Sequence, residues 1–172
     1  GANFQGTSLA KVSLVGALLD GADFSSSDLT RANLSSSLGR GVNFRSANLN
    51  EMQCQGARLE ESDFGGTNCA RMVALGANLK AADFTGSCLQ SSSFMNAKPM
   101  GSDFVNVDIE RCTFLNADLM MTRWHQVTVA NSALYNTRMQ LVSMIDCKFK
   151  KVQFAGETYF TSATLKKTLF EE

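Results

Sequence analysis

Six side chains in this sequence could do covalent or metal chemistry: Cys54, Cys69, Cys88, Cys112, Cys147 and the single histidine, His125. Paired cysteines would close a disulfide framework, and a CxxC pair with further Cys or His would hold zinc. No two of these five form CxxC, and their number is odd. The set reads as structural free thiols in a reducing, cytoplasmic compartment. His125 has no second imidazole with which to share a metal. Nor does it have a neighbouring nucleophile and orienting acid at a spacing that would build a triad. A Walker loop, a GxGxxG opening a helix and an HExxH helix are missing. The sequence points to no catalytic residues, no cofactor and no metal.

The chain has 172 residues, long enough for one domain with a real core, and 16 Lys+Arg balance 16 Asp+Glu. Zero formal charge excludes a broadly basic nucleic-acid-binding surface, so direct nucleic-acid binding is not expected. No apolar run approaches the ~18 residues of a membrane-spanning helix, and no signal-peptide pattern opens the chain. Membrane insertion is not expected either.

The elements that position these residues follow a ruler of five. From Phe4, every fifth residue to Phe154 is bulky and apolar or Cys, with only Gly39, Ala74 and Pro99 departing. Two residues earlier runs a second series of small or short residues, Ala2, Thr7, Val12, Ala17 and onward, in which Met52 and Met72 are the only long members. A helix, with a period of 3.6, would drift off such a ruler within a few turns. Positions two apart on a strand point the same way, so both series face inward and the residue between them faces out. The other two residues turn a corner, where Gly6, Gly16, Gly21 and Gly41 supply the positive φ of a tight turn. Asp or Asn at the outward middle site suits capping of nearby backbone groups.

A period of twenty lies above the period of five. Phe4, Phe24, Phe44, Phe64, Phe84, Phe104, Trp124 and Met144 share one phase. Four five-residue sides thus close one square coil, with an aromatic column inside it and Leu-rich columns beside it. At one strand spacing per coil, about eight coils make a rod ~38 Å long. Cys54 and Cys69 fall on large inward sites, Cys112 and Cys147 on small inward sites, Cys88 on an outward site, and His125 on an outward corner. The packed interior leaves no room for a pocket.

Units such as Gly21-Ala22-Asp23-Phe24, Arg31-Ala32-Asn33-Leu34, Ser46-Ala47-Asn48-Leu49 and Ala81-Ala82-Asp83-Phe84 resemble the A(D/N)LxX motif of the pentapeptide-repeat family. The resemblance spans residues 2–154 and implies that family's all-β, right-handed quadrilateral β-helix. It further implies a non-enzymatic, rigid module for protein–protein interaction or spacing, with a protein partner. One context it suggests is the bacterial secreted effector, including HECT-like ubiquitin ligases, in which such a solenoid precedes other domains. Localisation would then extend to the host cell. Quinolone-resistance members, which resemble duplex DNA and bind gyrase, supply the alternative.

The ends and the irregular points carry expectations of their own. Residues 1–155 read as the β-helix and 156–172 as a register-shifted last coil with a cap. Past Phe154 the ruler slips by one residue, which makes Phe160 and Leu165 inward rather than Tyr159 and Thr164, with Gly156 as the site of the extra residue. Leu165, Leu169 and Phe170 stand at helical spacing, so the last stretch is expected to form a short amphipathic helix over the final coil. Gly1-Ala2-Asn3-Phe4 is already mid-repeat, which fits a fragment of a longer protein whose N-terminal flanking domains are missing. Gly39, Ala74 and Pro99 are expected to mark loose packing or, in a sharper reading, a notch for a partner.

Charge is unevenly spread. Residues 1–120 hold twelve acids and nine bases, whereas 121–172 hold four acids and seven bases. On the aromatic column's face the outward middle sites include Asp63, Asp83 and Asp103, an acidic stripe of either consensus or functional origin, flanked by Arg45, Lys80 and Arg123. The C-terminal third adds His125, Tyr135 and a lysine cluster, Lys148, Lys150 and Lys151. These eight residues, the three aspartates with His125, Tyr135 and the three lysines, are the candidate interaction surface.

Overall fold

A computed structural model describes all residues, Gly1–Glu172. The chain winds as a square solenoid whose sides pair in parallel with those one coil away. In the first half the sides meet through single parallel bridges such as Asn3↔Asp23 and Asp63↔Asp83. Further on, three-residue strands form: β1 (Asp103–Val105), β2 (Asp108–Glu110), β3 (Arg123–His125), β4 (Thr128–Ala130), β5 (Ala133–Tyr135), β6 (Ser143–Ile145), β7 (Lys148–Lys150), β8 (Gln153–Ala155), β9 (Thr164–Lys166) and β10 (Leu169–Glu171). The first face is the sheet β1-β3-β6-β9, the second is β2-β4-β7-β10, and the third carries β5-β8. The fourth face is held by bridges such as Leu38↔Arg58 and Asp118↔Arg138.

Each coil is tied to the next through its backbone. The amide of Phe4 donates to the carbonyl of Asp23 at 2.7 Å, and the amide of Asp23 donates back to the carbonyl of Ala2 at 2.9 Å. Within a coil the corner closes as a turn, Thr7 N–H to the Phe4 carbonyl at 3.1 Å. Its third residue has positive φ, as a type II turn requires. Glycine fills that site at Gly16 (φ 67), yet Lys11 (φ 61), Arg31 (φ 58) and Leu141 (φ 59) adopt it as well. The left-handed region costs a non-glycine residue ~1 kcal/mol or more, so the inter-coil bonds on either side must hold these corners. The outward Asp and Asn help: Asp23 Oδ1 accepts from the Ser25 amide at 2.9 Å, and Asp83 Oδ1 accepts from Thr85 at 2.8 Å. The bond from the Ser25 backbone holds the Asp23 carboxyl below the usual carboxylate range.

The core is one continuous column of side chains. Rings in the first-face column stack at centroid distances of 4.9 Å (Phe4–Phe24), 5.6 Å (Phe24–Phe44), 5.0 Å (Phe44–Phe64) and 4.7 Å (Phe64–Phe84). Phe104 and Trp124 continue it at 4.9 Å. Polar residues at the small sites are buried, most with their bonds made, while Ser37 Oγ and Ser87 Oγ have no partner. Ser62 Oγ donates to the Gly39 carbonyl at 3.3 Å, Ser102 Oγ to the Leu79 carbonyl at 2.8 Å, and Thr122 Oγ1 accepts from Trp124 Nε1 at 2.8 Å. Where such a bond is made, a hydroxyl can replace a methyl without leaving an unpaired buried donor.

The irregular points are packed on their inward side, and a shallow surface pocket of about 220 Å³ borders Gly39, lined by Asp20, Leu38, Arg40, Arg58 and Glu60. Gly39 is buried, with Val42 and the leucines of the adjacent coils, Leu19 and Leu59, occupying the space of the missing side chain. Ala74 is fully buried where the small-site partner is the long Met72, also fully buried. A shortened large site is met by a lengthened neighbour. Pro99 has no amide to donate, so the bridge expected between Lys98 and Asp118 is missing while Asn78↔Lys98 and Asp118↔Arg138 flank the gap.

The one-residue slip is where the ruler placed it. Leu134 pairs with Phe154, twenty residues on, but Arg138 pairs with Tyr159, twenty-one on. Gly156 takes the corner with φ 64. The expected C-terminal helix is corrected: residues 164–166 and 169–171 form β9 and β10. Met144 pairs with Leu165, and Phe149 with Phe170, at 4.9 Å between ring centroids. Another rung satisfies the exposed strand groups of the preceding coil, which a helix laid across the end would leave open. Leu165, Leu169 and Phe170 are 47%, 58% and 51% exposed on this last coil. No helix of the structure is long and apolar enough to cross a membrane.

Candidate functional site

The acidic stripe exists as a geometric feature. Asp63, Asp83 and Asp103 stand on successive rungs of the first face. Its charge, however, is largely compensated. Arg45 Nη1 lies 3.2 Å from Asp63 Oδ2, and Arg123 grips both carboxylate oxygens of Asp103 from the next rung. Hydrogen bonding to Asp103 in turn raises the Arg123 guanidinium above its usual range. Asp83 alone has no cation bonded to it. Lys80, expected beside the stripe, sits on the fourth face, where its charge acts on Glu61.

The C-terminal candidates do not converge. His125 ends β3 on the first face, half-buried between Val105 and Ile145 of the adjacent rungs. Tyr135 lies on the third face, its hydroxyl donating to Gln153 Oε1. Lys148 and Lys150 project from β7 on the second face, and Lys151 occupies the following corner. Lys148 Nζ is 3.0 Å from Glu171. Three faces divide what reads as one cluster along the chain, because a five-residue step turns the chain a quarter of the way around.

All five cysteines are free. Cys54, Cys69, Cys112 and Cys147 are buried and Cys88 is exposed, each on the site that the ruler assigns it. Burial pushes the thiols of Cys54, Cys69 and Cys112 up to about 12 and raises that of Cys147. Such thiols are poor nucleophiles at neutral pH. A thiol-labelling reagent should therefore react quickly with one equivalent in the native protein, lost in Cys88→Ser, and with five in denaturant. Two or more fast equivalents in the native state would show that the coils open far more readily than this packing allows. A shallow groove of about 300 Å³ runs beside Cys88 and is lined by Gln90, Asp108, Glu110 and Thr128 among others. No group of three His, Cys, Asp or Glu is placed to hold a metal ion.

One surface escapes a reading of the first face alone. On the third face the outward residues after the large sites run Leu75, Met95, Leu115 and Tyr135, one per rung. The signal was present in the sequence, at a period of twenty and an offset of one beyond the large residue.

A search of curated proteins finds no match to this sequence. Among solved structures, the full-length plasmid-mediated fluoroquinolone resistance protein QnrB1 is similar at 14% identity and TM-score 0.55, with 95% of this chain and 93% of that one covered. A trypsin-treated QnrB1 variant gives 16% identity and TM-score 0.59 over 95% and 91%. HetL, a pentapeptide repeat protein involved in heterocyst differentiation regulation in the cyanobacterium Nostoc sp. strain PCC 7120, gives 20% identity and TM-score 0.48 over 96% and 87%. At these identities the likeness to QnrB1 is one of fold. The description of pentapeptide repeats matches residues 1–35, 40–68 and 62–98 in eight copies. That is more than half of the chain, and this protein belongs to the pentapeptide-repeat family.

Proposed function

We propose that this chain is a rigid, non-enzymatic rod that serves as a protein-interaction or spacer module, as a domain of a larger protein such as a bacterial secreted effector. The observation that carries this reading is the filled interior: the inward positions form a single core of 41 buried apolar side chains. A rod of that kind presents faces to partners and encloses no reaction chamber. The free, buried thiols suit a reducing compartment, either the cytoplasm of origin or that of a host cell.

The second reading, a DNA-mimicking gyrase binder, is favoured by the fold likeness to QnrB1. Duplex DNA carries about one negative charge per ~1.7 Å, or ~22 over a rod of ~38 Å. This chain has a formal net charge of zero, and Arg45 and Arg123 neutralise two of the three stripe carboxylates. Micromolar protein is accordingly expected to leave gyrase supercoiling uninhibited at low salt. Inhibition that fades with added salt and disappears on neutralising Asp63, Asp83 and Asp103 to Asn would overturn the ranking.

A further inference from the structure

The third face holds the inward column Leu14, Leu34, Cys54, Ala74, Phe94, Phe114, Leu134 and Phe154. The five residues of each of its eight sides, 12–16, 32–36 and onward to 152–156, include no Asp, Glu, Lys, Arg or His. All 32 charged residues of the chain lie outside these sides; Lys11, Arg31, Glu51, Arg71, Arg111 and Lys151 stand at the corner shared with the second face, the margin away from Leu75. The exposed strip Leu75, Met95, Leu115 and Tyr135 lies along one margin of this face. Leu75 is 40% exposed and the other three are half-buried. Outward beside it stand Val73, Ser93, Thr113 and Ala133, all half-buried.

The corner amides and the Tyr135 hydroxyl beside the strip are already paired with neighbouring rungs. At the corner, Asn116 Nδ2 donates to Asn96 Oδ1 at 3.0 Å and Asn136 Nδ2 to Asn116 Oδ1 at 3.3 Å, while Asn136 Oδ1 accepts from the Glu157 amide at 2.9 Å. Tyr135 bonds Gln153. Groups paired laterally in this way lose little when water is removed from them.

We infer that this uncharged face is a self-association surface, and that its occupant is the same face of a second copy of the chain, laid antiparallel. A partner with a charged surface would bury those charges against a face that offers none in return. The one surface of this chain with matching character, equally uncharged and with the same rung spacing, is this face itself. Symmetry then selects the orientation. Two faces related by a two-fold axis lie either with parallel rods, which sets the strip against the opposite margin of the partner, or with antiparallel rods, which sets strip on strip. Only the second buries all four apolar residues on apolar residues. The axis passes between the rungs of Met95 and Leu115, so Met95 meets Leu115 of the other copy and Leu75 meets Tyr135.

The face is narrow, and full overlap would bury roughly 800–1,000 Å² in total, short of the ~1,200 Å² at which stable complexes begin. Association should be reversible and weaker than about 1 µM. This surface shares no residue with the acidic stripe or the lysine cluster, so the inference stands apart from the identity of any other partner.

Sedimentation velocity of the full chain over roughly 5 to 500 µM is expected to show a monomer–dimer equilibrium. Leu115→Asp, which puts a carboxylate into the contact twice per dimer, should weaken it by about 100-fold or more without lowering the melting temperature. Gln126→Asp, at the diagonally opposite corner, should leave it unchanged. In a Cys88→Ser background, a Met95→Cys chain mixed with a Leu115→Cys chain should cross-link far more readily under mild oxidation than either chain alone. A monomer throughout the range, a dimer indifferent to Leu115→Asp (as an end-to-end pair would be), or equal cross-linking of mixed and unmixed chains would each overturn the inference.

Discussion

Phe64→Ala is expected to cost ~3–5 kcal/mol of stability, the range for emptying a large buried aromatic site. Phe64 is fully buried, and its ring lies 5.0 Å from Phe44 and 4.7 Å from Phe84. The change therefore removes two stacked contacts as well as buried area. Collapse is prevented, because the rungs above and below are fixed by backbone bonds such as Phe44 N–H to the Asp63 carbonyl (2.8 Å) and Phe64 N–H to the Asp83 carbonyl (2.7 Å). Asp63→Ala, one residue away and pointing outward, loses the cap on the Gly65 amide and an exposed ion pair to Arg45. That should cost no more than about 1–1.5 kcal/mol. Urea unfolding of both variants checks the difference. Equal losses would mean that inward and outward positions are wrongly assigned.

Gly39→Leu restores the residue that the neighbouring coils carry at this site and is nevertheless expected to destabilise, by about 2–3 kcal/mol. Gly39 lies outside the positive-φ set, so its backbone accepts a side chain. Space is the obstacle: a Cβ added there would stand 2.7 Å from Val42 Cγ2, 3.1 Å from Leu19 Cβ and 3.3 Å from Leu59 Cδ2. Since Val42 fills the gap from a site that is Ala22 one coil earlier, Gly39→Leu combined with Val42→Ala should recover most of the loss. A double-mutant cycle by chemical denaturation measures this, with a favourable coupling of ~1–3 kcal/mol expected. Additive losses would show that the two sites do not share one volume.

The square coil was legible because its cause is steric and repeats: Phe24, Phe44, Phe64 and Phe84 cannot share a phase of twenty unless four sides close a turn. The slip at Gly156 was legible for the same reason, since Phe160 and Leu165 keep their step of five. The C-terminal strands were hidden by a coincidence of spacing. Leu165 and Phe170 are one repeat apart, and Leu169 between them makes the triplet look helical. Gly39 and Ala74 look like defects along the chain because the residues that fill them, Val42 and Met72, belong to the other inward series. The stripe's neutrality was only half visible. Arg123 is one rung from Asp103 at the same site, but Arg45 reaches Asp63 across an eighteen-residue separation that no single column displays. The candidate surface split apart for the same reason, since neighbours in sequence share a face only within five residues.

The pairing offset also sets the increments by which such a chain can change length. Inserting or deleting twenty residues would lengthen or shorten the rod by one rung, ~4.8 Å, and leave every downstream side chain on its own face. Five residues would instead rotate the remainder by a quarter turn and bring charged sides into line with the uncharged one. The extra residue that shifts pairing from twenty to twenty-one at Arg138 and Tyr159 does neither. It is absorbed in the corner at Gly156, and β9 and β10 continue the faces of β6 and β7. The corners are therefore the places where this chain tolerates length variation without scrambling which residues travel together up each side.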